Sequence, residues 1–254
     1  MIIQTDEEKK ILREGGRRLA GILNKIKEKV RPGVSTKELD VYAEKLIRAG
    51  GDTPAFLNYQ PEGAKYPYPA SLCVSVNDEV VHGIPSPERI LKEGDTVSLD
   101  LGLKHGNIFT DMAITVPVGN VEAEAKRLLK ATREALEKGV SAARIGNRVG
   151  DISHAIESFV RPRGYGIVEV LSGHGVGQSI HEDPYIPNFG KPGTGPKLEA
   201  GMVIAIEPMI NLGAKNVKLD SDGYTFRTAD GKKSAHFEHT VLISEAGPEI
   251  LTMI

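Results

Sequence analysis

The sequence predicts an α+β fold built from two similar halves. Helical and strand-like patterns follow one another in the order helix, helix, strands, and this order then occurs a second time. The pattern Leu-x-x-Gly-x-x-Val/Ile-x-Leu/Ile-acid occurs at 91–100 and again at 198–207, an offset of 107 residues. The letters Gly-Val-Ser occur at 33–35 and 139–141, an offset of 106, and each copy is expected to open the second helix of its half. Two motif pairs at nearly one offset indicate an internal duplication.

The helices are marked by capping signals and by apolar spacing. Thr5 with Glu8 and Ser35 with Glu38 are typical of capping boxes, and each precedes apolar residues at helical spacing. The first helix is expected to end before the Arg-Pro-Gly at 31–33, and a Gly pair ends the second. Two more helices are predicted over about 121–137 and 148–160. The resulting expectation is one domain, 1–254, with repeats of approximately 5–116 and 121–250.

Strands are predicted at 71–76, 96–103, 108–116, 168–171, 202–206 and 237–243. Between positions 51 and 69 the chain is rich in Pro, Gly and Tyr, which predicts a surface loop near a functional site and not a part of the core.

Composition limits the classes of function. The 254 residues carry a formal net charge of −2, which offers no electrostatic basis for binding nucleic acid or membranes. Cys73 is the only cysteine, so no internal disulfide forms and a reducing compartment is expected. The first ten residues are charged and no apolar run approaches the ~20 residues of a membrane span, so we expect a cytoplasmic protein. The lack of an apolar excess favours a monomer.

Four carboxylates and one imidazole form a candidate ligand set for two divalent ions: Asp100, Asp111, His174, Glu207 and Glu238. Taken alone, Asp100 is more typical of an acid on the solvated face of a strand than of a metal ligand. That alternative is weaker for Glu207, because the residues on both sides of it are apolar and a buried carboxylate without a partner is costly. The full set predicts a two-metal hydrolase.

Taken singly, the other candidate residues also have an alternative interpretation. Asp111 and Glu238 are also compatible with turn or cap positions, and His174 lies among glycines that are compatible with a phosphate-binding loop. No Lys-Ser/Thr follows those glycines, which disfavours phosphate. His82 and His181 each follow an apolar segment, and an imidazole there can transfer protons or polarise a carbonyl.

Seven short stretches together resemble the type I methionine aminopeptidases of the pita-bread metallopeptidase family: Val80–Pro85, Val97–Asp100, Thr110–Asp111, Ser172–Gly177, His181–Pro184, Ala205–Met209 and Phe237–Thr240. The resemblance extends from the first helix to Glu249. It implies a pita-bread fold, in which pseudo-twofold halves surround a central antiparallel sheet with helices on its outer face. It also implies removal of the initiator methionine from nascent polypeptides whose second residue is small, and transient contact with the ribosome.

The resemblance also implies the roles of individual residues. Asp100 would bind one ion, His174 and Glu207 the other, and Asp111 with Glu238 would bridge both; the ions could be Co, Mn, Fe(II) or Zn. His82 and His181 would contact substrate, and Glu207 would move the proton of the attacking water to the leaving amine. The methionine side chain would lie among Phe56, Tyr59, Tyr68, Cys73, Ile180 and Tyr224.

The chain departs from the family pattern in the pocket. Tyr224 stands where bacterial relatives often have Trp, and the segment between Tyr59 and Tyr68 is longer than usual. Three rival functions remain open: a pita-bread peptidase acting next to proline, a type II methionine aminopeptidase, and a binding module that has lost catalysis. The first usually has a large N-terminal domain, the second needs an insertion between His181 and Glu207, and the third usually lacks ligands.

Overall fold

The computed structural model describes residues 1–253; Ile254, which the predicted domain includes, lies outside them. The chain forms four α-helices, a short 3-10 helix at Arg161–Arg163 and fifteen strands within this range. The helices are α1 Asp6–Lys27, α2 Thr36–Ala49, α3 Ala123–Ala142 and α4 Val149–Val160. The strands are β1 Thr53–Pro54, β2 Cys73–Val76, β3 Glu79–Val81, β4 Thr96–His105, β5 Ile108–Pro117, β6 Gly166–Ile167, β7 Ser172–Gly175, β8 Glu182–Pro187, β9 Val203–Ile206, β10 Met209–Asn211, β11 Val217–Leu219, β12 Phe226–Thr228, β13 Ser234–His236, β14 His239–Ser244 and β15 Gly247–Ile250. The predicted α+β class is confirmed.

Local signals in the sequence explain where the first two helices begin. Thr5 and Ser35 each accept the amide of the residue three positions later, and Glu8 and Glu38 reciprocate, so both predicted capping boxes are present. Helix α1 buries one apolar face against the first sheet and ends at Lys27, before the Arg-Pro-Gly turn. Helix α3 extends to Ala142, five residues beyond its predicted end.

Two main antiparallel sheets carry the functional residues. In the first half, β4 pairs with β5 on one side and with β1 and β2 on the other. In the second half the strand order is β15-β14-β9-β7-β8. The smaller sheets β13-β10-β6 and β11-β12-β3 flank them. Separate apolar clusters lie between each helix pair and its own sheet, and a third cluster joins the two halves.

The two halves make matching contacts, although one of the two predicted motif pairs is wrong. Gly139-Val140-Ser141 lies inside the last turns of α3 and does not open α4. The Leu91 and Leu198 motifs do match in space: the amide of Leu91 donates to the carbonyl of Val34, and that of Leu198 donates to Asn147. Both contacts directly precede the second helix of a half. We propose on this basis that 5–116 and 121–250 are related halves of one domain.

Two other local predictions are corrected. The segment 168–171, predicted as a strand, is irregular and connects β6 to β7, and Val170 within it is 70% exposed. The 51–69 segment contains β1 and two buried aromatic side chains, Phe56 and Tyr68, so it contributes to the core that the prediction excluded. Within residues 1–253, no helix is long and apolar enough to cross a membrane.

Candidate metal centre

The hairpin of β4 and β5 carries the two aspartates of the first half. Asp100 lies opposite Ala113, and Gly102 lies opposite Asp111. Side chains alternate between the faces of a strand, so Asp100 and Asp111 project from the same face as diagonal neighbours. Both are buried. The long regular register of this hairpin therefore fixes two adjacent carboxylates with little freedom to move.

The other three candidates come from the ends of short strands in the second half. His174 on β7 pairs with Ala205 on β9, and Glu207 follows the last residue of β9. Glu238 directly precedes β14, whose first residue pairs with Ile206. Glu207 and Glu238 therefore lie at the same end of two neighbouring strands.

Hydrogen bonds tie the two halves together at this point. The amide of Glu238 donates to the carbonyl of Ala113 over 2.9 Å. The hydroxyl of Thr240 accepts the amide of Asp111 at 2.8 Å and donates to the carbonyl of the same residue at 2.7 Å. These bonds join β5 to the start of β14. The carboxylates of both halves are thereby held around one cavity.

Glycines on either side of His174 permit the close packing of β7. A Cβ on Gly173 would lie 2.3 Å from the carbonyl oxygen of Ala205, and one on Gly175 would lie 2.2 Å from that of Asp183. Nδ1 of His174 lies 2.8 Å from the carbonyl oxygen of Gly175, which can only accept a hydrogen bond. The ring proton is therefore on Nδ1, and Nε2 is left as a free ligand atom.

The five candidates line one cavity of ≈130 Å³ and form two overlapping groups. Asp100, Asp111 and Glu238 offer ligand atoms within 4.8 Å of one another, and so do His174, Glu207 and Glu238. A third group of Asp111, His174 and His181 meets the same limit. Glu238 is thus common to the first two groups, while the metal-binding role of each residue stays a prediction.

The chemistry of this cluster fits divalent cations. One oxygen each of Asp100 and Glu238 is buried without a hydrogen-bond partner, a costly arrangement unless a cation compensates it. None of the described residues that line the cavity is a Lys or Arg. Four anionic oxygen donors and a neutral imidazole are ligands that first-row divalent ions accept.

The pKa values of the clustered side chains also fit a cation site. Burial raises the pKa of Asp100 to about 7, with Glu207 adding to the effect. The pKa values of Asp111 and Glu238 lie well above their ordinary range, first because of burial and then because of the neighbouring carboxylates. Burial also lowers the pKa of His174 to about 3, so its ring is neutral at pH 7. Without a cation, several of these carboxyls hold their protons near neutrality.

His82 and His181 both line the cavity, as do five of the six predicted pocket residues: Phe56, Tyr59, Tyr68, Cys73 and Tyr224. The sixth, Ile180, is buried in the same apolar cluster but does not line the cavity. His82 has a φ of 59°, a conformation that is unusual for a residue other than Gly and that clusters at functional sites. Burial lowers the pKa of this histidine to about 4, so it is neutral at pH 7.

One residue of the site was missed by the sequence analysis. Nε2 of His236 lies 3.2 Å from a carboxylate oxygen of Glu207, and the backbone of His236 exchanges hydrogen bonds with the side chain of Thr115. His236 is buried and precedes Glu238 by two residues. A residue two positions from a candidate ligand shares its side of an extended chain, and this spacing was the signal that could have identified His236.

Comparison with known proteins agrees with this geometry. Residues 10–245 match the family described as Metallopeptidase family M24. The chain belongs to metallopeptidase family M24. Its dependence on divalent metal follows from that membership together with the ligand groups described above.

Individual M24 proteins are similar over the whole chain. A methionine aminopeptidase of Clostridium perfringens is 48% identical over 254 residues, covering 100% of this chain and 99% of that protein. The crystal structure of a methionine aminopeptidase from Rickettsia prowazekii has a TM-score of 0.95 at 37% identity, with complete coverage of both chains. A prolidase from Pyrococcus furiosus is 25% identical with a TM-score of 0.78, and this chain covers 66% of it. The expected pita-bread fold is confirmed by these M24 structures.

Proposed function

We propose that this protein removes the N-terminal methionine from polypeptides whose second residue is small, by metal-assisted hydrolysis of the first peptide bond. The observation that carries the proposal is the placement of five candidate ligands, four of them buried, beside an aromatic, sulfur-containing cavity of ≈130 Å³. The similarity to methionine aminopeptidases over the full length of the chain supports the same substrate class.

Two divalent ions fit the ligand groups better than one. Asp100 would hold the first ion, His174 and Glu207 the second, and Asp111 and Glu238 would contact both. Glu238 belongs to both of the main groups, and Asp111 lies within 4.8 Å of ligand atoms of each half. Such ions, whether Co, Mn, Fe(II) or Zn, would supply Lewis acidity and lower the pKa of the attacking water.

The chain's own side chains would position the substrate and move its protons. Glu207 would accept the proton of the attacking water and deliver it to the leaving amine, because as a ligand it would lie next to that water. Its carboxylate contacts His174 and His236 at the cavity. His181 would donate a hydrogen bond to the scissile carbonyl oxygen, and His82 would contact the leaving amide. Both histidines line the cavity that holds the ligands.

Specificity for methionine would come from the apolar walls of the cavity. The rings of Phe56, Tyr68 and Tyr224 and the thiol of Cys73 surround the space next to the ligands, and Tyr59 lies at its edge. A thioether makes favourable contacts with aromatic rings and adapts to an irregular slot, whereas branching at Cβ or Cγ collides. Fit alone discriminates by about 1–3 kcal/mol for each methylene-sized difference. Contact with the ribosome and a cytoplasmic location stay predictions from the sequence.

The rival functions are disfavoured by specific features. The prolidase similarity is weaker, and this chain covers only part of the prolidase. Between His181 and Glu207 there are 25 residues, too few for the expected type II insertion of several dozen. A module without catalysis would lack ligands, and all five candidates meet at one cavity.

Peptide assays test the proposal directly. The metal-loaded protein should release methionine from Met-Gly, Met-Ala and Met-Ser peptides and act poorly on Met-Lys and Met-Phe, because the second residue must lie close to the ligands and His82. Leu-Gly and Xaa-Pro peptides serve as controls for the rival specificities. Equal rates on all five Met peptides, or faster release of Leu than of Met, would contradict the pocket assignment. Cleavage restricted to Xaa-Pro peptides would replace the proposed function by that of the proline-specific peptidases.

A further inference from the structure

Tyr59 contacts His181 where the cavity opens into a neighbouring groove of ≈590 Å³. The hydroxyl oxygen of Tyr59 lies 3.0 Å from Nδ1 of His181. The ring centroids are 5.1 Å apart, with the ring planes inclined by 53°. A role in an apolar pocket requires only the ring of Tyr59, so the hydroxyl contact needs a separate explanation.

Other contacts already hold the main chain around His181. One carboxylate oxygen of Glu182 accepts the amides of Gln178 and Ser179 at 2.8 and 3.3 Å. On its inner side the ring of His181 meets the ring of His174 edge-on, with centroids 4.5 Å apart. A ring nitrogen of His181 also lies within 4.8 Å of ligand atoms of Asp111 and His174. The backbone and one ring face are therefore fixed, while the choice of protonated nitrogen depends on the partner of Nδ1.

The ring proton of neutral His181 can be on Nδ1 or on Nε2, and the two tautomers differ in what they can bind. A neutral imidazole carries one N–H. If the Tyr59 hydroxyl donates to Nδ1, the ring proton is on Nε2, and Nε2 can donate to a carbonyl oxygen. If Nδ1 donates to the hydroxyl instead, Nε2 is only an acceptor and cannot contact a carbonyl oxygen favourably. Desolvation raises the pKa of Tyr59, so its hydroxyl is protonated in both arrangements; only the first leaves an N–H of His181 for a carbonyl oxygen.

We propose that Tyr59 is a positioning residue for His181: its hydroxyl donates to Nδ1 and thereby keeps the Nε2–H of His181 available to the carbonyl oxygen of the scissile bond. The inference rests on the proposed function, because that carbonyl belongs to the N-terminal methionine. Tyr59 acts through His181 and contributes its ring separately to the pocket.

Kinetics of single and double variants separate these two contributions. Tyr59→Phe keeps the ring and removes the hydroxyl, so kcat should fall by about 10–100-fold, as when the partner that orients a functional imidazole is lost, and KM should change little. In a His181→Ala background, Tyr59→Phe should cause no further loss, because its target is gone. Tyr42→Phe removes a hydroxyl from α2, outside the cavity, and serves as the matched control. Unchanged kcat, a change in KM alone, or losses that multiply in the double variant would overturn the proposal.

Nitrogen-15 NMR of the histidine rings provides a readout that does not depend on activity. In the metal-free protein at pH 8, the His181 signals should be those of the Nε2–H tautomer, and Tyr59→Phe should shift them toward a mixture of tautomers. The signals that vanish in His181→Ala identify the residue. An Nδ1–H tautomer in the parent protein would overturn the proposal even if the peptide assays succeed. Failure of the peptide assays with the expected NMR result would instead contradict the proposed function.

Discussion

The two halves of the chain contribute to the site in different ways. The first half places Asp100 and Asp111 inside a hairpin whose ten residue pairs remain in register. The second half places Glu207 and Glu238 just beyond strand ends, and His174 lies where the pairing of β7 with β8 shifts register. A continuous ladder holds side chains rigidly, whereas strand ends and bulges re-aim them. The first half thus supplies two fixed carboxylates, and the second carries the candidate ligand imidazole of His174 together with His181 and the proton-transfer candidate Glu207.

The largest effect on activity is expected for Glu238, the residue common to the Asp100–Asp111 group and the His174–Glu207 group. Glu238→Gln should reduce activity to the level of the metal-free protein, because an amide is a weak ligand for either ion. Burial and neighbouring carboxylates raise the pKa of Glu238 in the folded state, so above pH ~4.5 an ionisable group there destabilises the metal-free fold. The metal-free variant should therefore melt at the same or a higher temperature than the parent.

Glu245→Gln is the matched control, since Glu245 is exposed in the turn between β14 and β15. Metal content, activity and thermal melting of both variants check the prediction. Substantial activity in Glu238→Gln would show that the two groups do not depend on a shared ligand.

The next largest effect is expected for His181, which belongs to the second half. His181→Ala should keep its metal and lose turnover by ~10²–10⁴-fold, the range typical of removing a polarising or acid–base group. Metal analysis and steady-state kinetics on a Met-Gly peptide measure the two quantities separately. Because His181 forms a possible ligand group with Asp111 and His174, loss of metal from this variant would make His181 a ligand and would refute its assignment to substrate.

The smallest effect is a dependence of metal affinity on pH, to which carboxyl groups of both halves contribute. The pKa of Asp100 is about 7 without metal, whereas His174, with a pKa of about 3, has no proton to lose at neutrality. Metal must displace protons from the carboxyls, so affinity should rise by about tenfold per pH unit for each displaced proton as pH approaches 7. Calorimetry in buffers of different ionisation enthalpy should detect proton release. Binding without proton release at pH 6 would contradict the raised pKa values.

The same contrast between the halves explains what could be predicted from the sequence. The helices with capping boxes and the strands of the first hairpin follow local rules that a short window of sequence contains. The segment 168–171 does not follow such a rule. Its apolar residues are typical of a strand, but the segment is an irregular connection between β6 and β7. The Gly-Val-Ser at 139–141 resembles 33–35 in sequence but not in structure. The equivalent positions are Val34 and Asn147, whose carbonyl groups accept the amides of Leu91 and Leu198.

Within the site, ligand candidates were recognisable by residue type and motif, but their contacts were not. His236 reaches Glu207 only because β10 and β13 pair in one register. The contact of Tyr59 with His181 joins residues separated by 122 positions. The spacing from Glu238 indicates that His236 lies near the site, but which side chains His236 and Tyr59 contact depends on tertiary packing.

The most direct test of the central claim is anomalous X-ray scattering from crystals of the manganese-loaded protein. The claim is that both halves complete one centre with two ions. We expect two peaks ~3.5–4 Å apart, one beside Asp100 and the other beside His174, with Glu238 contacting both. Asp100→Asn should weaken the first peak and retain the second. A single peak, or two peaks that share no protein ligand, would contradict the account.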